Sequence, residues 1–163
     1  MGSVKIGKTL GLKIPLLAVK GLSIDVYHKD KGLDHTIINA SLQAAFVWMP
    51  GMTRITAFGD NEGTNLDINP ERREQIWGYA KTMFPQDYDE SKENLWVGLR
   101  PVSPDDVPII GQSSIYSNLY FNIGHGSRGM KLALGSGIVL HSIMTGQKAP
   151  IDIWGFNPER FSL

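Results

Sequence analysis

Cysteine is missing altogether from these 163 residues. That absence removes disulfides, thiolate nucleophiles and zinc–thiolate centres at once, and it fits a reducing compartment. A surplus of either charge is missing too: 16 Lys and Arg stand against 16 Asp and Glu, for a formal net charge of zero. No basic field exists to gather a phosphate backbone, so nucleic acid is not an expected partner. No uninterrupted apolar run is long enough to cross a bilayer. The opening MGSVKIGKTLG has lysines but no apolar signal core. The expected location is therefore cytoplasmic, with peripheral attachment to a membrane as the variant. Histidine is scarce, and His28, His35, His125 and His141 show no HExxH-type spacing, so no metal site is expected. Internal repeats and low-complexity linkers are also lacking.

What remains is ordinary globular material. The chain is 42% hydrophobic and 20% charged, enough for a real core in one domain-sized unit. The first half reads mostly as strands. Ile14 to Val19 is a short apolar run ending at Lys20-Gly21. Leu22 to Tyr27 then alternates, with Leu22, Ile24 and Val26 on one side and Ser23 and Asp25 on the other. His35 to Ala40 and Ala44 to Met49 are two more β-rich runs. Pro50-Gly51 signals a turn, and Arg54 to Phe58 is the returning strand. The expected fold class is α+β, with a mostly antiparallel sheet.

Two helices stand out. The first begins with Asn69 as cap, Pro70 at the first helical position and Glu71 at the positive end of the dipole. Ile76, Tyr79, Ala80 and Met83 make one buried stripe along it, and Phe84-Pro85 ends it. Glu93 to Leu99 returns to strand, Pro101 to Gly111 reads as a structured loop, and Asn118 to Ile123 as a strand. The second helix spans about Gly129 to Thr145, with Gly146 as its stop. It is apolar nearly all round, from Met130 and Leu132 to Ile138 and Ile143, and Gly135 and Gly137 lie inside it. Such a helix is normally buried on several sides, so its apolar surface is expected to lie exposed or in self-association.

Between that strand and that helix, Gly124-His125-Gly126-Ser127-Arg128-Gly129 matches G-x-G-x-x-G. A dinucleotide fingerprint needs further βαβ units and an acidic ribose ligand. Too little chain follows, and Asp152 sits among Pro150, Trp154 and Pro158, so that reading fails. The physical content survives: glycines let backbone approach a ligand, and amides at a helix N-terminus favour negative charge. A plain strand-to-helix turn with no ligand satisfies the same pattern.

Several segments in register go further. Gly11 to Leu16 with Val19 to Ser23 resembles the "GL-x-IP…KGYS" stretch of the D-amino-acid dehydrogenase branch of the FAD-dependent oxidoreductases, which also hold D-amino-acid oxidase, glycine oxidase and sarcosine oxidase. Thr53 to Gly63 is similar to that family's "R-x-x-GG-x-E" hairpin. Trp96 to Asp105 resembles "WxGLRPxTPD", continued by Pro108 to Gly111. Leu119 to Gly126 with Leu134 to Gly137 resembles "LYLNTGHG…GSG", and Asn157 to Phe161 the family's ending. Ser127 to Met130 departs from the branch's usual Thr-Leu-Gly-Trp by placing a charge, Arg128, in the loop.

The resemblance implies a substrate-binding sheet over 1–95 with a helix at 70–84, and a flavin-capping segment over 96–163, both in one compact unit. It also implies that the family's amino-terminal FAD domain is not among these residues, so FAD binding by the chain alone is expected to be weak or absent. Oxidative deamination of an amino acid to a 2-oxo acid follows as the expected reaction, with a D-amino acid or related amine as substrate. The alternatives are a remnant without FAD, or a subunit needing a flavin-domain partner. Arg100 of GLRP is expected to fork onto the substrate carboxylate; spacing alone allows instead a salt bridge to Asp105 or Asp106. Gly124, His125, Gly126, Ser127, Arg128 and Gly129 would face the isoalloxazine through backbone amides, with Met130 and Lys131 adding theirs. Lys20 and Gly21 are placed near the flavin by the same resemblance. His125 is expected to orient its loop rather than to act as acid or base. Tyr27, Phe46 and Trp48 are candidates for a pocket wall or for core.

Overall fold

The computed structural model describes residues 1–29, 32–89 and 91–163. Its contacts divide it into two units, one of Lys20–Leu99 and one of Met1–Val19 with Arg100–Leu163. The first 19 residues, grouped with the sheet in the sequence reading, thus belong with the carboxy-terminal residues.

The Lys20–Leu99 unit is built on a five-stranded sheet of β1 (Leu17–Tyr27), β2 (Ile37–Asn39), β3 (Ala44–Met49), β4 (Met52–Asp60) and β5 (Asn94–Val102), in the order β2-β3-β4-β1-β5. The β2–β3, β3–β4 and β4–β1 pairs are antiparallel. The α+β class with a mostly antiparallel sheet is thus present. Register explains the core: Ile24 lies opposite Ile55, and Ile55 opposite Phe46. Against this face packs α2 (Pro70–Met83), which contributes Ile76, Trp77 and Ala80. Asn69 caps α2 as its chemistry requires, its Oδ1 accepting the Glu71 amide at 2.9 Å.

Two details differ from the sequence reading. Leu17 to Val19 of the first run and the whole of the second lie in one eleven-residue strand, while Ile14 to Leu16 precede it. Its register slips between Lys20 and Leu22, so the break in pattern is a bulge rather than a strand end. Ser23 and Asp25, read as the outer side, are 4% and 3% exposed. Burial of Asp25 is offset by the fork of Arg54 at 2.7 and 2.9 Å and by the Asn94 amide at 2.7 Å. The Arg54 hydrogen bond is the main reason the Asp25 carboxyl titrates below its ordinary range.

The other unit holds α1 (Gly2–Thr9), a two-stranded ribbon of β6 (Ile109–Gln112) and β7 (Tyr120–Ile123), and α3 (Gly129–Thr145). Neither α1 nor β6 was expected: residues 1–11 lack a strong periodic pattern, and β6 is a four-residue strand inside a proline-rich stretch. The ribbon is antiparallel, with Ile109 opposite Ile123 and Gly111 opposite Phe121. Leu12, Ile14, Leu16, Ile109, Phe121 and Leu163 form its core, and α3 packs against both strands. Gly146 ends α3 in the left-handed conformation at φ 67°, its amide reaching the Ile143 carbonyl. Among the described residues no helix is long and apolar enough to cross a membrane.

A cleft at the glycine loop

Period-two alternation on β7 sets the geometry. Phe121 points into the small core, which leaves Asn122 on the side of α3. The chain then turns at Gly124, forms a single 3-10 turn over Gly126–Arg128, and enters α3 at Gly129. Gly124 has φ 78°, and a Cβ there would lie 3.1 Å from Leu16 Cδ2 and 3.3 Å from Ser103 Cβ. Only glycine meets both demands without strain. Gly126 repeats the left-handed conformation at φ 55°.

Around this turn lies an open cleft of about 470 Å³. Asn122, Gly124, His125, Gly126, Gly129 and Ser136 are among its walls, together with Pro101. The Arg128 amide closes the turn on the His125 carbonyl at 3.0 Å. The first two amides of a helical turn, here those of Gly126 and Ser127, have no partner within it. The antiparallel ribbon, rather than a parallel sheet, leads into the turn, so the glycine pattern is no dinucleotide fingerprint.

Two of these wall residues each bury one side-chain atom out of reach of solvent and without a partner, Asn122 Oδ1 and His125 Nε2. An enclosed polar atom without a partner costs about 1–3 kcal/mol. The hydrogen bonds fix the Asn122 orientation. Ser136 Oγ donates to the Ala133 carbonyl at 3.2 Å, so it accepts from Asn122 Nδ2 at 3.4 Å, which leaves Oδ1 as the orphan. Burial pushes the His125 imidazole below its ordinary pKa, so the ring is neutral at physiological pH. Sequence reasoning missed Asn122. The available signal was a polar residue near the end of an otherwise apolar strand, two positions before the glycine loop.

The remaining candidates fall as follows. Arg100 lies half-buried on β5; Pro101, not Arg100, is among the cleft walls. The two aspartates that spacing offered it are engaged by other arginines. Arg160 Nε donates to Asp105 at 2.8 Å, and its hydrogen bond is the main cause that lowers the Asp105 carboxyl to about 2. Arg128 binds both the carboxylate and the carbonyl of Asp106. The charge that distinguishes this loop is therefore compensated beside it. Ser127, Met130 and Lys131 are exposed, Met130 to 92%. Lys20 is buried in the sheet unit, where its ammonium meets the Glu62 carboxylate and the Asp67 carbonyl; Gly21 is buried beside it. Phe46 is core at 0% exposure, Trp48 is exposed and Tyr27 is half-buried.

The model of one family, FAD dependent oxidoreductase (DAO), matches residues 2–142. The chain belongs to that family. It is 32% identical over 155 residues to a D-amino acid dehydrogenase of Bradyrhizobium diazoefficiens, a match over 94% of this chain and 37% of that protein. The chain thus spans little more than a third of the curated relative's length. Iminodiacetate oxidase from Chelativorans sp. BNC1 has a similar fold, with a TM-score of 0.82 at 16% identity over 96% of this chain and 43% of that one. Glycine oxidase from Geobacillus kaustophilus gives a TM-score of 0.79 at 19% identity over 96% and 42%. At those identities the two structures speak for the fold. The cleft at the glycine loop is accordingly a feature of an FAD-dependent oxidoreductase chain.

Proposed function

We propose that this chain provides the substrate-binding sheet and the flavin-facing loop of an enzyme that oxidises an amino acid, in the manner of a D-amino-acid dehydrogenase. The observation that carries the reading is the cleft itself. It is walled by backbone at two left-handed glycines and by the polar residues Asn122, His125 and Ser136. No acidic, lysine or arginine side chain is among its walls, and the His125 ring is neutral. The wall's amide hydrogens and polar side chains fit the heteroatom-rich edge of an isoalloxazine, so the residues present suit FAD.

When bound, FAD supplies the two-electron acceptor for hydride leaving the substrate α-carbon. The residues of the chain do the rest. The Gly126 and Ser127 amides favour negative charge where the cofactor edge gains electrons. Met130 and Lys131, at the head of α3, extend that positive end of the helix dipole. Arg100 holds the substrate carboxylate in a planar fork, which fixes how the α-carbon is presented. The amine nitrogen loses a proton as the hydride departs, and water converts the resulting imine to a 2-oxo acid and ammonia. Lys20, tied to Glu62 and Asp67, and Gly21 are assigned to the flavin by the family resemblance.

Reconstitution tests this reading. The chain is mixed with FAD and a separately expressed flavin-binding segment of the Bradyrhizobium relative, and dye reduction is followed with D-alanine and other D-amino acids. Turnover that needs both pieces is expected. Arg100→Lys should lower kcat/KM by about a hundredfold, because an ammonium cannot reproduce the fork. Failure to reduce the dye with every amino acid tried would favour the remnant without catalysis.

A further inference from the structure

We infer that Arg160 is a positioning residue for the glycine loop, which it holds in place through the connection at 103–108. The inference concerns the order of the loop and stands whether or not a flavin occupies the cleft. The loop is seated on that connection. Val102, just before it, pairs with His125 as an isolated antiparallel bridge. A Cβ on Gly124 would lie 3.3 Å from Ser103 Cβ; one on Gly126 would lie 3.4 Å from Val102 Cγ2 and 3.5 Å from Asp106 Oδ1. Arg128 adds its bonds to the carboxylate and the carbonyl of Asp106. Where the connection lies therefore decides where the loop lies.

The connection needs support of its own. Asp106 sits at φ 56°, a left-handed conformation that a residue with a side chain keeps only when its surroundings enforce it. Arg160 meets the stretch around it with one planar group. Nε donates to Asp105 at 2.8 Å, and Nη2 donates to the Val107 and Pro108 carbonyls at 2.8 and 3.2 Å. An ammonium cannot match that spread of acceptors. The segment that carries Arg160 is itself anchored. Pro158 is buried so close to Gly111 that a Cβ there would come within 2.6 Å of Pro158 Cδ, and Leu163 fills the ribbon core. The other bond of the guanidinium, from Nη1, goes to the Asn157 carbonyl at 3.0 Å. Among the described residues none of its hydrogen bonds reaches the glycine loop, so its action on the loop runs through the connection. Two adjacent aspartates thus join arginines from two separate segments, Asp105 to Arg160 and Asp106 to Arg128.

Amide hydrogen exchange on the full chain tests this, read amide by amide. The Arg128 amide, which donates to the His125 carbonyl, reports the loop, and the Ser114 amide, which donates to the Leu163 carbonyl, reports the segment at 157–163. The Val139 amide, inside α3, reports the unit as a whole. Arg160→Gln should speed exchange at Arg128 about tenfold, the scale of one lost charge-assisted hydrogen bond, and leave Val139 unchanged. Arg160→Lys, which keeps the charge without the fork, should fall between. Asp105→Asn should act in the same direction, and the two changes combined should fall short of the product of their separate effects, as for groups that act together. An unchanged rate at Arg128, or faster exchange at Ser114 alone, overturns the assignment, because Arg160 would then fasten only its own segment. If Arg160→Gln speeds Val139 as much as Arg128, the unit has opened, and Asp105→Asn, of nearly the same shape, decides on the same amides. Arg128 faster with Val139 unchanged upholds the positioning role; both faster together overturns it.

Discussion

The two long helices face their surroundings in opposite ways. In α2 the apolar residues sit on one stripe: Ile76 and Ala80 are fully buried and Trp77 nearly so, while Glu71, Glu74 and Lys81 face water. In α3 only Val139 and two serines are buried, and Met130, Leu134 and Ile138 are 92%, 85% and 56% exposed. A helix that satisfies its own unit needs one apolar stripe, and α2 has one. By composition α3 is a helix for an interior, yet this chain covers only its ribbon side. The contrast teaches where stability resides. The sheet unit closes its core with its own helix, while the other unit keeps apolar surface unspent at positions beside the cleft.

The largest effect should come from the closed core. Phe46 has no exposed surface and joins Ile24, Ile55 and Ile76. Phe46→Ala should cost about 3–5 kcal/mol, read as the loss in denaturant midpoint at constant slope. A loss below about 1 kcal/mol would mean that the sheet unit is far less consolidated than its packing says. The glycine loop comes next. Gly124→Ala forces a Cβ into the left-handed region and toward Leu16 and Ser103. A cost of about 1–3 kcal/mol is expected. Unchanged stability would show that the loop has room to relax, and that its glycine serves only ligand approach.

That second case shows what the residues disclosed and what they withheld. The sheet was legible where burial is one-sided. Ala44 to Met49 matched its strand residue for residue, and Asn69-Pro70-Glu71 placed the start of α2, because capping and turn chemistry act locally. The bulge at Gly21 was not legible, since a one-residue register slip is decided by the partner strand. Nor was β6, where Pro108 argued for loop until Tyr120 to Ile123 came to pair with it. At the site, the pattern GHGSRG located the turn and the helix head. It did not show that the Arg128 amide is consumed by the turn, or that Arg128 itself answers Asp106. Asn122 passed as one more strand residue because its hydrogen bond goes to Ser136, fourteen positions on and on another element.

The smallest effect on stability should come from the open face of α3, and it is the most discriminating. Leu134 is 85% exposed, so it buries almost nothing in the folded chain. Leu134→Gln should leave stability within about 0.5 kcal/mol, as for other surface positions without special contacts. Its association should change instead. Exposed leucine, methionine and isoleucine on one helix gather copies of a chain or a partner by removing apolar area from water. The unaltered chain should therefore sediment as more than a monomer at high concentration, and Leu134→Gln should shift it toward the monomer. A matching substitution on α2, Lys81→Gln, should leave sedimentation unchanged, because that face is already polar. If the unaltered chain sediments as a clean monomer, the exposed face of α3 does not drive association, and the contrast between the helices reduces to composition. If Leu134→Gln instead unfolds the chain, α3 is covered in solution by something the packing does not reveal, and the comparison fails at its premise.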